Sequence, residues 1–497
     1  MTTLFLTTTI PYVNAPPHLG FALEAVQADV LARHHRRRGD QVRLLTGTDD
    51  NSLKNVLAAQ AAGVGVREWV DRHADAIAAL REPLGHSYDD FIRTSRDRRH
   101  AVGVARLWRA CAAAGDLYRD RYEGLYCVGC ESYYTADELT GGRCPEHGTA
   151  PQHLSEENWF FRLSRYAGPL RDAIAGGRLR IEPASRRNEV LALIDAGLRD
   201  FSVSRSRERA RGWGIPVPDD PTQVVYVWWD ALGNYVTSLD SAEAYQRWWA
   251  GSDRRIHLLG KGVLRFHAVY WPAMLLSAGL PLPTDLLVHD YLTIDGQKLS
   301  KSTGGGGADP VALAQRYGTD AVRWWLLRDV PRVGDVDFTT ARLVERADAD
   351  LAGGIGNLVN RVVTMVHRYR DGRVPEHRPG PADGLARACR EAPKLVDAAL
   401  AGYDVRRATA AVWDIVDQAN RHIEQVRPWE LARSGSREAD RRLDAALAAL
   451  VAGCRSLADE LAPFLPGAAA AVAGQCAGQR LPAPAPLFPR LAGRPTG

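Results

Sequence analysis

The chain has 497 residues, 45% hydrophobic and 25% charged, with a formal net charge of +4. That length is too great for one core and predicts about two to four domains, while near-neutrality means that any nucleic-acid contact must come from a local patch. No apolar run approaches the ~18 residues of a membrane span and no basic-then-apolar leader opens the chain, which argues against membrane and secreted classes and makes a cytoplasmic location the expectation.

Residues 3–10, TLFLTTTI, read as a buried strand. The next stretch, PYVNAPPHLGFALEA, opens an amphipathic helix over 19–38 that Gly39 stops, and QVRLLTG is a second strand. That βαβ unit places a ligand beyond the carboxyl ends of its strands. A helical stretch near 98–115 follows, and residues 121–160 then turn rich in Cys, Gly and aromatics, as an inserted module would. The α/β texture returns at QVVYVWWDALGNY and RIHLLGKGVLRFHAVYWPAML, and DLLVHDYLTIDGQKLS reads as strand, turn and loop. From about residue 340 the pattern is helical, with Ile355, Leu358, Val359, Val362, Val363 and Val366 on one face. The Pro-rich tail, residues 481–497, reads as irregular.

The sharpest chemical spacing is Cys127-x2-Cys130, followed after thirteen residues by Cys144-x2-His147. Two such knuckles converge tetrahedrally on one structural Zn²⁺ and leave no open position to activate water. Cys111, Cys389, Cys454 and Cys476 are isolated and read as packing residues. Of 63 Lys and Arg residues only five are lysines, at 54, 261, 298, 301 and 394. Two of them lie in QKLSKSTGGGG beside Ser300 and Ser302, a loop suited to bringing ammonium groups onto a triphosphate. His18 and Gly20 at the first helix start complement it, since glycine admits a nucleotide and the helix start offers donors to phosphate oxygens. Neither stretch is a Walker loop or a dinucleotide fingerprint.

These stretches, taken in order with LLTGTDD, YCVGCESYYTADEL…CPEHG, ENWFFRLSRY, LRFHAVYWPAMLLSAGL and KLSKS, resemble class I aminoacyl-tRNA synthetases, specifically the methionyl-tRNA synthetases, from near residue 5 to about 435. HLGF stands where that family has its HIGH signature, and KLSKS matches its KMSKS loop. The resemblance implies ATP-dependent activation of methionine as its adenylate, with Mg²⁺ accompanying ATP, and transfer to tRNA. It implies an α/β fold: a Rossmann-like catalytic domain in two halves (1–115 and 201–296), a connective insertion with a zinc knuckle (116–200), a KMSKS-like loop and stem-contact region (297–345), a helical bundle for the anticodon (346–480) and the tail (481–497).

By residue, the resemblance implies His18, Lys298 and Lys301 as catalytic groups. ATP contacts fall to His18, Gly20, Phe21, Glu24, Gly260, Lys298, Ser300 and Lys301. Ile10, Tyr12, Trp228, Ala231, Leu232, Tyr235, His267 and Trp271 would wall a methionine pocket, where aromatic contacts suit a thioether, and Asp50 would hold the α-ammonium. Asn357, Arg361 and Trp429 match an anticodon-reading set. At i and i+4 the first two share a helix face opposite the valine stripe, and the tryptophan supplies a stacking face.

Departures crowd the nucleotide site. Phe21 replaces the second histidine of the signature, Gly262 an aspartate, Asn51 and Ser52 the usual His-Gly, and Asp290 a glycine; STGGGG replaces Ser-Arg-Gly-Asn after the loop. The reading is a methionyl-tRNA synthetase with a variant ATP site. Two alternatives stay open at this point: a paralogue that delivers its adenylate to a small-molecule amine or hydroxyl, and a non-catalytic RNA-binding protein. A monomer without membrane association is expected.

Overall fold

The computed structural model describes residues 1–127, 132–145, 148–294, 296–298, 308–376 and 384–491. Strand β1, Thr3–Thr7, buries Leu4, Phe5, Leu6 and Thr7, as a strand covered on both faces must. It ends earlier than the apolar run suggests. Thr9 turns its amide and hydroxyl to Glu24 Oε1, at 2.5 and 2.6 Å, instead of a ladder partner. Helix α1, Leu19–Arg37, follows, and Gly39 beyond its end takes φ +86°.

The central sheet is parallel. It comprises β1, β2 (Gln41–Thr48), β3 (Asp90–Arg93), β4 (Arg180–Glu182), β5 (Arg254–Gly260) and β6 (Asp285–His289), in the order β3-β2-β1-β5-β6-β4. The chain builds outward from β1 on one side and later returns to pair β5 on the other, so β1 and β5 flank the switch point where ligands of such sheets bind. Three helices serve the site from this half: α2 (Arg98–Ala113), α3 (Ala184–Asp195) and α4 (Val227–Thr237). The insertion is an antiparallel sheet in which Leu117–Cys127 pairs along its length with Gln152–Phe161.

The segment read as strand, turn and loop forms more structure than expected. After β6, β7 (Leu292–Ile294) pairs antiparallel with β8 (Gln297–Lys298) and parallel with β9 (Val336–Asp337). The hairpin forms because Gly296 takes φ +72°, which a tight turn between paired strands needs.

Helix α5 (Trp271–Ser277) precedes β6 in the chain, and α6 (Thr319–Arg328) lies between the hairpin and β9. The C-terminal region packs α7 (Asn357–Arg370), α8 (Gly384–Ala401), α9 (Val405–Val426), α10 (Pro428–Ser434) and α11 (Arg437–Leu461). All six residues of the predicted apolar stripe are buried there. The tail to residue 491 lacks regular structure but is not loose: Leu481 and Leu491 are buried, and His367 Nε2 lies 2.8 Å from the Pro482 carbonyl oxygen. The fully buried Arg323 of α6 ties the two halves of the molecule together. It pairs with Asp29 of α1 at 2.8 Å and donates to the carbonyls of Leu84 and Phe464.

Candidate active site

His18 caps α1 in extended conformation, and its Nδ1 accepts the Gly20 amide at 3.2 Å. A ring nitrogen that accepts carries no proton, so the neutral ring presents its N–H at Nε2. A Cβ on Gly20 would lie 3.1 Å from the His18 ring, which accounts for glycine there. The Leu19 amide donates 3.0 Å to the carbonyl of Ala308, the first described residue after the lysine-bearing loop. The backbone of Lys298 pairs with Thr293 at the loop's other foot. Ser300 and Lys301 lie outside the described residues. Ala308, which follows the loop in the chain, thus lies against the helix start, where backbone N–H groups and the macrodipole favour an anion.

A cluster of aromatic side chains packs in the catalytic half of the chain. The Trp228 ring stacks on Phe266 with centroids 3.8 Å apart and planes at 5°, and Tyr12 meets Trp228 edge-on at 6.3 Å. Tyr235 stacks on His257 at 4.1 Å and lies 5.8 Å from Trp271. Ala231 and Leu232 are buried on α4, and Ile10 packs against the same cluster. Phe266–Tyr270 is a π-helical turn running into α5, a geometry that recurs at functional sites.

Hydrogen bonding fixes the protonation of both histidines of the cluster. His267 Nδ1 lies 2.9 Å from the Val263 carbonyl and must donate, so Nε2 accepts from the Tyr235 hydroxyl at 2.7 Å. Burial lowers its pKa to about 4. Trp271 Nε1 donates to His257 Nε2 at 3.2 Å, leaving His257 Nδ1 to donate to Thr7 Oγ1 at 2.6 Å, and burial holds that ring well below its ordinary pKa too. With both imidazoles neutral the cluster carries no charge. Phe266 and His257 escaped the sequence reading, although both lie inside the quoted RIHLLGKGVLRFHAVYW run.

Two buried carboxylates close β2. Asp50 is fully buried, its pKa raised by burial; its Oδ2 accepts the Ser95 hydroxyl at 2.8 Å and lies 3.7 Å from Arg93. Asp49, which the sequence reading passed over, forms a parallel bridge with Tyr12 and so stands nearer the cluster along the backbone. Asn51 donates to Asp230 Oδ2 at 2.7 Å, and Asp230 also binds His100. The first departure from the usual signature thus joins a buried polar network behind α4.

Glu24 is buried and saturated: besides Thr9 it meets His289 Nε2 at 3.0 Å beneath Gly260. Burial alone would lower the His289 pKa, but the Glu24 bond and charge raise it above the ordinary value. Phe21 packs between two core clusters and lines a small cavity of about 20 Å³ with Ala25, Leu44, Ile77, Tyr88 and Phe91. Thr8, Thr46 and His86 line the same cavity, so the setting of Phe21 is apolar on one side and polar on the other.

Of the four zinc-knuckle positions Cys130 and His147 lie outside the described residues, and among the described residues no group of three metal-ligating side chains occurs. Cys127 and Cys144 are both buried. Cys127 Sγ lies 3.9 Å from Thr149 Oγ1 and Cys144 Sγ lies 3.7 Å from the Tyr134 hydroxyl, so each thiol touches the segment next to the other. In the helical region Asn357 is exposed, Arg361 is half-buried with Nη1 3.4 Å from Asn420 Oδ1, and Trp429 leans on the helical core from α10.

Comparison with known proteins agrees with this arrangement. The family profile described as tRNA synthetases class I (M) matches residues 4–154 and 146–363. The methionine--tRNA ligase of Thermosynechococcus vestitus is 40% identical over 488 residues, covering 95% of this chain and 89% of that protein. That of Caldanaerobacter subterraneus is 38% identical over 470 residues, covering 93% and 72%. The crystal structure of Mycobacterium tuberculosis methionyl-tRNA synthetase bound by methionyl-adenylate superposes with a TM-score of 0.92 at 36% identity, over 98% of this chain and 100% of that one. Its free-state structure gives 0.85 at 35% identity, over 99% and 98%. By the match of the family profile and the identity and coverage of these relatives, the chain belongs to the class I methionyl-tRNA synthetases.

Proposed function

We propose that the chain joins methionine to ATP and passes the activated residue to tRNA. A carboxylate oxygen of methionine attacks the α-phosphorus of Mg²⁺-bound ATP; a P–O bond forms, pyrophosphate leaves and methionyl-adenylate remains. A terminal ribose hydroxyl of tRNA then attacks the carbonyl carbon, gives up its proton and releases AMP. The observation that carries this reading is the Leu19–Ala308 bond, which ties the helix start bearing His18 to the residue that follows the lysine loop in the chain.

Roles follow from charge. His18 Nε2–H, the backbone at Gly20 and the ammonium groups of Lys298, Ser300's neighbour Lys301 and the helix start meet phosphate charge as it develops. Tyr12, Trp228, Leu232, Tyr235, His267 and Trp271 enclose the thioether. The α-ammonium goes to the carboxylate pair Asp49 and Asp50, the acidic groups at the end of β2. Glu24 holds Thr9 and His289 below the nucleotide, so its part is support of the floor. Asn357, Arg361 and Trp429 receive the anticodon by edge contacts and stacking.

The fit of zinc rests on the two buried thiols and their reciprocal contacts. Cys127, Cys130, Cys144 and His147 would hold it, and bound metal would supply only rigidity to the insertion.

The test is methionine-dependent pyrophosphate exchange, followed by charging of methionine tRNA. Both should occur with methionine and fail with leucine. Adenylate formation with no transfer to any tRNA would move the acceptor to a small-molecule amine or hydroxyl.

A further inference from the structure

Lys261, one of the five lysines, has no part in the chemistry assigned above. It follows the last residue of β5 and opens a single 3₁₀ turn, Lys261–Val263. Its Nζ lies 2.6 Å from Asp335 Oδ1, 3.8 Å from Asp290 Oδ1 and 4.7 Å from the centre of the Tyr291 ring. Asp335 and Asp337 are two residues apart around β9, a spacing that puts both carboxylates on one side of an extended chain. Each grips the hairpin that leads to the lysine loop. Asp335 Oδ1 accepts the Tyr291 amide at 2.9 Å, and Asp337 Oδ1 accepts the Thr293 hydroxyl at 2.8 Å and the Gly296 amide at 3.0 Å. Asp290, the residue that departs from a usual glycine, adds a third grip: its Oδ2 accepts the Gly334 amide at 2.6 Å and its Oδ1 pairs with Arg186 of α3.

Among the described strands β7 pairs with β8 and β9 and with no strand of the catalytic sheet; besides these polar grips the hairpin is held by the chain from β6 and by Leu292, buried in the core. We infer that Lys261 is a positioning residue for adenylation: its ammonium, shared by Asp335 and Asp290, fixes the base of the hairpin to the end of β5 and so sets where the loop lysines meet ATP. The inference rests on the reading of residues 297–307 as the phosphate-binding loop. Exposed ion pairs contribute little to stability, and Asp335 is 41% exposed, so the consequence belongs in rate. A displacement of about 1 Å in a positioned group costs about a hundredfold in rate. Lys261 need not touch ATP for this.

The experiment uses the full chain with Lys261→Met, Lys261→Arg and Asp335→Asn, the last keeping an acceptor for the Tyr291 amide while removing the charge. Thermal unfolding first verifies that each is folded. Lys261→Met should lower kcat of methionine-dependent pyrophosphate exchange by about ten- to a hundredfold at unchanged KM for methionine. Lys261→Arg should recover most of it and Asp335→Asn should follow Lys261→Met. Hydrogen exchange should show the amides of Tyr291 and Gly296 less protected in Lys261→Met. Unchanged kcat, or a rise in methionine KM alone, overturns the inference. If the wild type shows no such exchange activity, the proposed function fails, and amide protection decides the latch by itself: equal protection in wild type and Lys261→Met overturns it.

Discussion

The Leu19 amide donates to the Ala308 carbonyl at 3.0 Å, joining the first turn of α1 to the residue where the lysine loop rejoins the described structure. The first N–H groups of a helix have no partner within it, and this one is used to anchor a loop from the far side of the sequence. The helix start proposed to meet phosphate thus also holds the chain just after the loop.

The phosphate role proposed for the loop is tested at Lys301. Lys301→Ala should depress methionine-dependent pyrophosphate exchange by about a hundredfold or more, since removing one preorganised group that meets transition-state charge has that scale. Stability should be unchanged in thermal unfolding. An unaltered exchange rate would remove Lys301 from the chemistry.

Phe21 answers to packing. Phe21→His would exchange apolar contacts with Leu44, Ile77 and Phe91 for a polar ring in a cavity that Thr8, Thr46 and His86 also line, at a cost of about 1–3 kcal/mol in denaturant unfolding. Pyrophosphate exchange should not rise. A variant that is both stable and faster would show that the histidine reaches ATP and that phenylalanine is a handicap.

Trp429 tests the acceptor. Trp429→Ala should reduce tRNA charging by about one to two decades, the equivalent of one stacked base, and leave pyrophosphate exchange nearly intact. Charging should also weaken as salt rises, because phosphate contacts carry much of the affinity. Equal loss in both assays would mean that Trp429 acts through the fold.

Elemental analysis should find about one zinc per chain, with Cys144→Ser lowering that content. Chelation should loosen the insertion, read as faster proteolysis within residues 117–161. A metal-free protein with unchanged proteolysis and activity would remove zinc from the account.

The Glu24–His289 pair gives a pH signature of known sign. The folded pKa of His289 is raised from 6.5, so its stabilisation is complete below that value and is lost as pH rises through the raised one. The difference in unfolding free energy between wild type and Glu24→Gln, about 1–3 kcal/mol, should be largest below pH 6.5 and shrink toward alkaline pH. A difference that grows with pH would mean that His289 is neutral in the folded protein.

Much of this molecule is a local property of its sequence. The β1–α1–β2 unit and the apolar stripe of α7 were legible because strand and helix periods involve residues a few positions apart. The hairpin β7–β8 was half legible: the turn signal was there, but pairing depends on β9, some forty residues later.

The character of the site was decided elsewhere. Neutral His267 and His257 follow from complete burial and from Tyr235, Val263, Thr7 and Trp271; the mixed setting of Phe21 follows from Ile77 and Phe91 on one hand and Thr46 and His86 on the other. Asp50 is held by Ser95, and Lys261 by Asp335. Sequence by itself determined which elements form and which chemical groups are present. Only the tertiary structure decided their protonation, their partners and the direction in which each faces, because desolvation and hydrogen bonding act between atoms that the fold alone brings within a few ångströms.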